Sequence, residues 1–332
     1  MGPHREPAQG LHIATISHLH EVGLKTGDCL EILSVDLLEE QAEIVESFRE
    51  LASRLGIQLG WHYDLDLAWV GSQLGDLSGV RILDAGAGTG VLQWWMADRG
   101  AEVVSVDRLD RADLSGRFRL AYRIRGLRSD DLLPTWKLIQ YRLSPTDRSL
   151  AARIRAALRA AATTLLEPIR PKAPGRVTLH RGDLDILPHL EDATFDVIVS
   201  ISALEHNEVA NIPGVVAELE RVLKPGGLLL VTMSAARDDD WFHEPSASWC
   251  LTEDSLHRIF ALSPESRSNF SEYDSLFEEI RASKTLQQRL APMFYQSESS
   301  GMPRGIWDPQ YQPVGVRKRI ESIHSKPGIY GR

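Results

Sequence analysis

Apolar residues follow two different patterns along the chain. Five short segments are continuously apolar, which predicts strands that are buried on both faces. These segments are VRILDA (80–85), EVVSVD (102–107), RVTLHRGD (176–183), FDVIVSIS (195–202) and LLLVTMS (228–234). Between them, apolar residues at helical spacing predict helices at 91–99 and 215–223. Buried strands that alternate with helices are typical of a parallel sheet covered on both faces, so the pattern predicts an α/β fold with a doubly wound, mainly parallel sheet.

Further elements are predicted on either side of this region. They are helices at 34–55, 61–74, 252–260 and 274–282 and a last strand within 307–320. Gly56 is suited to end the first of these helices, because glycine is common at the residue that follows a helix. We therefore expect an N-terminal tail and helical segment (1–60), a central domain (61–240) and a C-terminal extension (241–332) that supplies a substrate or lid segment.

An insertion of nearly 70 residues, 108–176, separates the second and third predicted strands. Its stretches 117–127 and 149–169 have an apolar side and an arginine side, which predicts two helices. The insertion contains 14 arginines and two lysines against six acidic residues, so it carries a net charge of +10 within a chain whose net charge is −9. It is thus a basic segment of an otherwise acidic protein.

The basic insertion has two interpretations. It is either a solvated face packed over the sheet edge or a recognition surface for an anion, such as a phosphorylated sugar, a lipid-linked glycan, an acyl carrier protein or a membrane surface. Under the second interpretation, the candidates for binding an anionic acceptor are Arg117, Arg119, Arg123 and Arg125. Few aromatic residues lie among the arginines, which disfavours nucleic acid as the partner.

The overall composition is that of an ordinary globular protein, with 43% hydrophobic and 25% charged residues. The sequence has no apolar run long enough to span a bilayer, and its first residues lack the apolar segment of a signal peptide. Only two cysteines are present, Cys29 and Cys250, which excludes a disulfide framework or a zinc cluster. These features predict a cytoplasmic protein. The oligomeric state is not indicated by the sequence.

The stretch DAGAGTG (84–90) places three glycines between the first central strand and its helix. A dinucleotide site requires the spacing G-x-G-x-x-G, but here the third glycine comes one residue early. Asp84 precedes the glycines and would repel a phosphate while attracting a cation. Asp107 ends the second strand, where an acid of a nucleotide-binding fold accepts hydrogen bonds from ribose hydroxyls. A nucleoside with a cationic tail and no phosphate, such as S-adenosylmethionine, fits both acids.

These residues resemble motif I of the class I, Rossmann-like S-adenosylmethionine-dependent methyltransferases. GDLDILP (182–188), FDVIVSISALEHN (195–207) and LERVLKPGGLLLVTM (219–233) resemble, in order, the later motifs of that family. The resemblance implies a methyltransferase with S-adenosylmethionine as cofactor. It implies contacts to the cofactor from Asp84, Gly86, Ala87, Gly88, Gly90, Asp107, Arg108, Asp183, Leu184, Ser200 and Ile201. In related enzymes the helix before motif I often closes the site, which here offers Trp61, His62 and Tyr63.

The loop DDDWFHEPSASW (238–249) follows the fifth strand at the edge where substrates enter. Its acids and His243 could hold a divalent cation, and its aromatic residues could line an apolar pocket. Acids in a row rarely converge on one ion, so no metal is expected and the acidic residues are interpreted as a surface loop. The residues concerned are Asp238, Asp239, Asp240, Trp241, Phe242, His243, Glu244 and Trp249.

Methyl transfer to a hydroxyl is helped by a base, because a neutral alcohol is a weak nucleophile. His206 is the first candidate for this base, and His62 and His243 are the alternatives. The predicted function is methylation of a small or medium-sized, anionic, glycan-type or natural-product acceptor, with oxygen preferred. A non-catalytic protein that docks an anionic partner through the insertion is the alternative. A nicotinamide-dependent oxidoreductase is disfavoured by the glycine spacing.

Overall fold

The computed structural model describes residues 27–144, 149–289, 302 and 306–321 of the chain. Within these residues, eleven strands form one sheet. They are β1 (Cys29–Ile32), β2 (Arg81–Ala85), β3 (Glu102–Asp107), β4 (Arg123–Gly126), β5 (Arg176–Arg181), β6 (Phe195–Ile201), β7 (Leu223–Ala235), β8 (Trp241–His243), β9 (Ser248–Leu251), β10 (Arg267–Ser268) and β11 (Gln312–Arg319). The strand order is β10-β1-β11-β7-β6-β2-β3-β5-β4, with β9 paired to β7 and β8 paired to β9.

The helices of the described residues lie on both faces of this sheet. They are α1 (Leu37–Glu40), α2 (Ala42–Leu55), α3 (Tyr63–Gln73), α4 (Leu92–Asp98), α5 (Gly116–Ala121), α6 (Thr135–Leu143), α7 (Leu150–Leu166), α8 (Ile212–Val222), α9 (Glu253–Ile259), α10 (Tyr273–Ala282) and α11 (Lys284–Arg289). Among the described residues, no helix is both long and apolar enough to cross a bilayer.

The five predicted central strands are confirmed as β2, β3, β5, β6 and β7, and they pair in parallel with one another in the order β7-β6-β2-β3-β5. Successive side chains of a strand point to opposite faces. Accordingly, Ile82 joins the core on one face, with Phe48 and Trp69, whereas Leu83 joins the core on the other, with Leu219. The sheet is therefore buried on both faces, as the predicted doubly wound architecture requires. Because the strands are parallel, their carboxyl ends meet at one edge.

Helix α2 shows how the local sequence determines which face of a helix is buried and where the helix ends. Its buried residues include Val45, Phe48 and Leu55 at helical spacing, and Gly56 ends it with a left-handed φ of 61°. The predicted single helix over 34–55 is divided into α1 and α2 at Gln41, whose backbone leaves the helical region.

Five strands of the sheet were not predicted, namely β1, β4, β8, β9 and β10. Strand β1, from the segment expected to be tail and helix, pairs antiparallel with β11, so that Cys29 lies opposite Arg317. Strand β11 itself confirms the last predicted strand and runs antiparallel to β7. Both flanking segments therefore contribute to the central sheet. The predicted domain boundaries stay a prediction.

The helix predicted at 117–127 is wrong in its second half. Helix α5 ends at Ala121, and residues 123–126 form β4, which pairs in parallel with β5 at the sheet edge. The alternation of isoleucine and arginine in RIRG suits an edge strand with one face towards solvent. The second predicted helix, over 149–169, is confirmed as α7, and α6 was not predicted.

Candidate functional site

The turn between β2 and α4 needs glycine at position 86. Gly86 and Gly88 have φ values of 77° and 48°, in the left-handed region that L-residues with side chains avoid. A Cβ atom on Gly86 would lie 2.3 Å from the Cβ of Ala203, which follows β6. Ser202, immediately before Ala203, also has a positive φ of 45°. The two loops approach so closely that only a bare backbone fits at Gly86.

Asp107, at the end of β3, holds this turn in place. One carboxylate oxygen accepts a hydrogen bond from the Gly88 backbone N–H at 2.7 Å, and the other accepts one from the Leu109 N–H at 2.7 Å. Asp107 thus ties the glycine turn to the second strand and still faces the cleft beside it.

One side of the glycine turn opens into a cleft of about 220 Å³, here called the first cleft. It is lined by Gly86, Asp107, Arg108, Gly182, Leu184, Ser202, Ala203, His206 and Asn207. Four carboxyl-end loops of the sheet supply these residues, as the parallel topology predicts.

Arg108 spans this first cleft at its rim. Its Nε donates to Asp183, and Nη2 donates to Asn207 Oδ1 at 3.4 Å. Asp183 lies at the rim and does not line the cleft, whereas Leu184, next to it, does. The ion pair is exposed at both ends, so a ligand could displace it at small cost.

The other side of the turn opens into a second cleft of about 200 Å³. Its lining is mostly apolar and consists of Ile57, Gln58, Leu59, Gly60, Tyr63, Leu67, Asp84, Ala87, Thr89, Gly90, Val91, Leu92 and Ile201. Burial raises the pKa of Asp84 to about 7, although Arg111 opposes this rise and Asp107 adds to it. The glycine turn therefore separates two clefts, each with one buried or half-buried aspartate.

Arg111 is a residue of the site that the sequence pattern did not indicate. This buried arginine comes from the insertion and donates to the Gly88 carbonyl at 3.2 Å and to Ser105 Oγ at 2.6 Å. It also donates to the backbone carbonyls of Ser105 and His180. Among 14 arginines of the insertion, no sequence signal marks this one, because its role depends on the tertiary fold.

Of the three residues offered by the helix before the glycine turn, Tyr63 lines the second cleft, while Trp61 and His62 are buried behind it. The Tyr63 ring stacks on His62 with 4.8 Å between ring centroids. His62 Nδ1 lies 2.5 Å from Asp66 Oδ2. Burial favours neutral His62, but Asp66 and Glu205 outweigh it and raise the pKa of the imidazole.

Glu205 is a second residue that the sequence pattern did not indicate, because the histidine beside it is the more usual base. Its side chain is completely buried, and Oε1 accepts a hydrogen bond of 2.8 Å from Ser202 Oγ. Burial raises the pKa of Glu205, and His206 and Ser202 oppose the rise. Oε2 has no hydrogen-bond partner among the described residues. Ser202 lines the first cleft, so this carboxylate lies just beneath it.

The remaining predicted residues are placed as follows. His206 lines the first cleft, and its Nδ1 lies 2.9 Å from the Ala247 carbonyl, which it can only meet as a donor. Ile201 lines the second cleft. Ser200 is buried and lines neither. His243 is also buried, with Nδ1 2.5 Å from Ser246 Oγ, and burial lowers its pKa.

The acidic loop after β7 is used in folding. Both carboxylate oxygens of Asp240 accept hydrogen bonds at the start of α9, from Thr252 and Ser255. In the described part of the chain, no three His, Cys, Asp or Glu side chains converge to hold a metal ion.

The four arginines expected to bind an anionic acceptor lie outside both clefts. Three of them donate to backbone carbonyls: Arg117 to Leu55, Arg119 to Leu114 and Ala112, and Arg123 to Ala173 and Pro174. Arg125 donates to Thr178 Oγ1. Arg117 and Arg125 thus tie the insertion to α2 and β5, whereas Arg119 and Arg123 bond within it. Their role in binding an acceptor stays a prediction.

Comparison with known proteins gives three findings. A family model described as "Methyltransferase domain" matches residues 46–289. A curated relative, the ubiquinone biosynthesis O-methyltransferase of Leptothrix cholodnii, is 40% identical over 67 residues, which are 18% of this chain and 28% of that protein. Two solved structures match over most of this chain.

The first is described as a "putative sarcosine dimethylglycine methyltransferase from Galdieria sulphuraria", with a TM-score of 0.43 at 16% identity over 83% of this chain and 98% of that one. The second is phosphoethanolamine N-methyltransferase 2 from Haemonchus contortus in complex with S-adenosyl-L-methionine. Its TM-score is 0.42 at 15% identity, over 86% of this chain and 59% of that one.

Proposed function

Because this chain belongs to the methyltransferase family, with an S-adenosylmethionine-dependent domain over residues 46–289, we propose that it methylates a hydroxyl group of a small or medium-sized acceptor. The observation that carries the proposal is the pair of clefts on either side of the glycine turn. Each cleft offers the acid that one end of the cofactor needs.

The first cleft suits the nucleoside. A carboxylate can accept about four hydrogen bonds, and Asp107 already accepts two from backbone N–H groups. Two acceptor positions therefore remain for the ribose hydroxyls. Leu184 would pack on the adenine, and Asp183 would leave Arg108 to accept from its amino group. Any side chain at Gly86 would meet Ala203 and fill the space between these groups and the second cleft.

The second cleft suits the amino-acid end. Asp84 is the acid of this cleft, and its ionised carboxylate would bind the ammonium. When bound, S-adenosylmethionine supplies a methyl group on a cationic sulfur that leaves as a neutral thioether. The protein therefore has to orient the acceptor, exclude water and accept one proton.

We assign the proton acceptor to Glu205 in place of the histidine nominated from the sequence. Ile201 lines the second cleft, and Ser202, the next residue in the chain, lines the first. Ser202 therefore lies at the junction of the two clefts, with Glu205 beneath it at 2.8 Å. The acceptor hydroxyl would lose its proton through Ser202 Oγ to the Glu205 carboxylate, whose raised pKa makes it a stronger base.

We propose that the acceptor lies beside the amino-acid end of the cofactor, against the apolar part of the second cleft. Ile57, Leu59 and Leu67 present apolar side chains, which favours an acceptor with an apolar or aromatic portion next to its hydroxyl. The Leptothrix relative is named as an O-methyltransferase, which also supports oxygen as the acceptor atom. An anionic acceptor has no support from the arginines of the insertion.

The test is a screen of metabolite extracts with S-adenosylmethionine that carries a deuterated methyl group. We expect the purified protein to add one labelled methyl group to an acceptor that has a free hydroxyl, and not to do so after Gly86→Val substitution. Transfer to nitrogen, carbon or sulfur would contradict the acceptor class. Failure to bind S-adenosylhomocysteine would contradict the cofactor site itself.

A further inference from the structure

Exposed apolar side chains are concentrated in one helical hairpin, formed by α6 and α7. Fourteen large hydrophobic side chains are exposed in the described part of the chain, and nine of them lie between residues 136 and 169. The nine are Trp136, Tyr141, Leu143, Leu150, Ile154, Leu158, Leu165, Leu166 and Ile169. Monomeric proteins rarely expose so many apolar side chains together unless the patch binds something.

Helix α7 has its large apolar residues on the side that faces solvent. Leu150, Ile154 and Leu158 follow one another at intervals of four, and Leu165 continues the same strip. The inward face carries small residues instead, namely Ala157, Ala160 and Thr163. An ordinary surface helix has the reverse arrangement. The exposed strip therefore cannot be explained by the protein's own core.

Arginines flank this apolar strip. Arg155 and Arg159 lie along the neighbouring edge of α7, and Arg170 follows its end. All three are exposed, and none forms an ion pair with the described residues. The nearby Glu167 is occupied by Thr135 and Lys172. The surface thus combines apolar side chains with unpaired positive charge.

Aromatic residues border the same surface. Trp136 and Tyr141 of α6 are 56% and 52% exposed. Tryptophan and tyrosine are enriched where protein meets the boundary between lipid headgroups and acyl chains, because each ring has an apolar body and a polar tip.

We propose that the α6–α7 hairpin docks on an anionic lipid bilayer, with the apolar strip of α7 inserted among the headgroups and the arginines against lipid phosphates. Helices that lie in a membrane surface combine these residue types in this arrangement. The charge distribution selects this occupant. The insertion carries +10 while the rest of the chain carries −19, so an anionic surface attracts the insertion and repels the remainder of the chain. A second copy of the chain would bring two such positive faces together and is disfavoured.

The test is flotation of the full-length protein with vesicles of phosphatidylcholine alone or with roughly one-third phosphatidylglycerol. We expect binding to the anionic vesicles only, weakened by salt. Leu158→Ser with Leu165→Ser should reduce the bound fraction at least about tenfold, as should Arg155→Gln with Arg159→Gln and Arg170→Gln. Leu158 and Leu165 are 64% and 77% exposed, so their replacement leaves the fold intact.

The matched controls are Ile186→Ser and Arg267→Gln. Ile186 is 67% exposed and Arg267 is exposed, and both lie outside the hairpin, so these variants should float like the wild type. Equal loss in the controls, or no binding to anionic vesicles, would overturn the proposal. Dimers that the leucine substitutions dissociate would assign the patch to self-association instead. Cofactor binding, measured in parallel, is independent of the result.

Discussion

Gly86 is the residue of the site at which the backbone conformation and the neighbouring loop most restrict the choice of side chain. Its φ of 77° disfavours a side chain, and a Cβ at this position would lie only 2.3 Å from the Cβ of Ala203, which excludes one unless the loops move. We expect Gly86→Val to weaken binding of S-adenosylhomocysteine at least about tenfold, because the turn can accept the new side chain only by moving relative to Ala203, and both residues line the first cleft. Isothermal titration calorimetry measures the affinity.

Gly214→Ala is the matched control for this substitution. Gly214 lies in α8, has no positive φ and would place its Cβ in open space, so the affinity should not change. Unaltered affinity in Gly86→Val would show that the turn does not touch the ligand.

Asp84 gives the site a pH dependence. Its pKa in the unliganded protein is raised to about 7, chiefly by burial, and only its ionised form attracts an ammonium group. Affinity for S-adenosylhomocysteine should therefore fall about tenfold from pH 8 to pH 6, with a proton released on binding at the lower pH. Calorimetry in buffers of different ionisation enthalpy counts that proton. Asp84→Asn should bind more weakly and without this pH dependence. The same slope in the variant would assign the titration to another group.

Substitution of Glu205 should distinguish an effect on catalysis from an effect on cofactor binding. Glu205→Gln keeps the shape of the side chain and removes the base, so we expect kcat for a hydroxyl acceptor to fall by about 100-fold while cofactor affinity stays within twofold. Single-turnover kinetics with the labelled donor measures the chemical step. Glu208→Gln, an exposed neighbour, serves as control. A normal kcat in Glu205→Gln, with a loss in His206→Asn, would return the role of base to the histidine.

At the scale of elements, the central strands were predictable because each is a continuous apolar run that needs no partner to be recognised. β1 and β4 were not, because segments as short as CLEI and RIRG become strands only through pairing with an edge that the sequence does not reveal. Asp84, Gly86 and Asp107 could be nominated from the loops after these strands. Arg111 and Glu205 could not, since burial alone gives them their roles.

Arg111 is a buried link between the insertion and the site. Arg111 donates to groups on the glycine turn, β3 and β5, and each of these hydrogen bonds would be lost after substitution. We expect Arg111→Gln to lower the free energy of unfolding by about 3 kcal/mol, in the range for breaking a buried charged network. Urea unfolding followed by tryptophan fluorescence measures this loss.

Arg125→Gln provides the comparison for Arg111. Arg125 makes one hydrogen bond, to Thr178, so its loss should cost less than about 1 kcal/mol. Equal losses in the two variants would mean that the insertion is held along its whole length and not chiefly at Arg111.

At the scale of the whole molecule, the chain separates two tasks. The parallel sheet brings the loops after β2, β3, β5 and β6 to one edge and so forms the two clefts. The insertion adds a face that is both basic and apolar to an acidic protein. The sequence reveals the charge of this segment, but it does not reveal that the apolar side chains are exposed. Which arginines face solvent and which are hydrogen-bonded to backbone depends on packing.

The central claim is that one ligand occupies both clefts across the glycine turn. A crystal structure of the protein with S-adenosylhomocysteine tests it most directly. We expect the ribose hydroxyls on Asp107, the ammonium beside Asp84 and the Arg108–Asp183 ion pair opened. Clefts that stay empty at saturating ligand, or a ligand bound elsewhere on the molecule, would contradict the account.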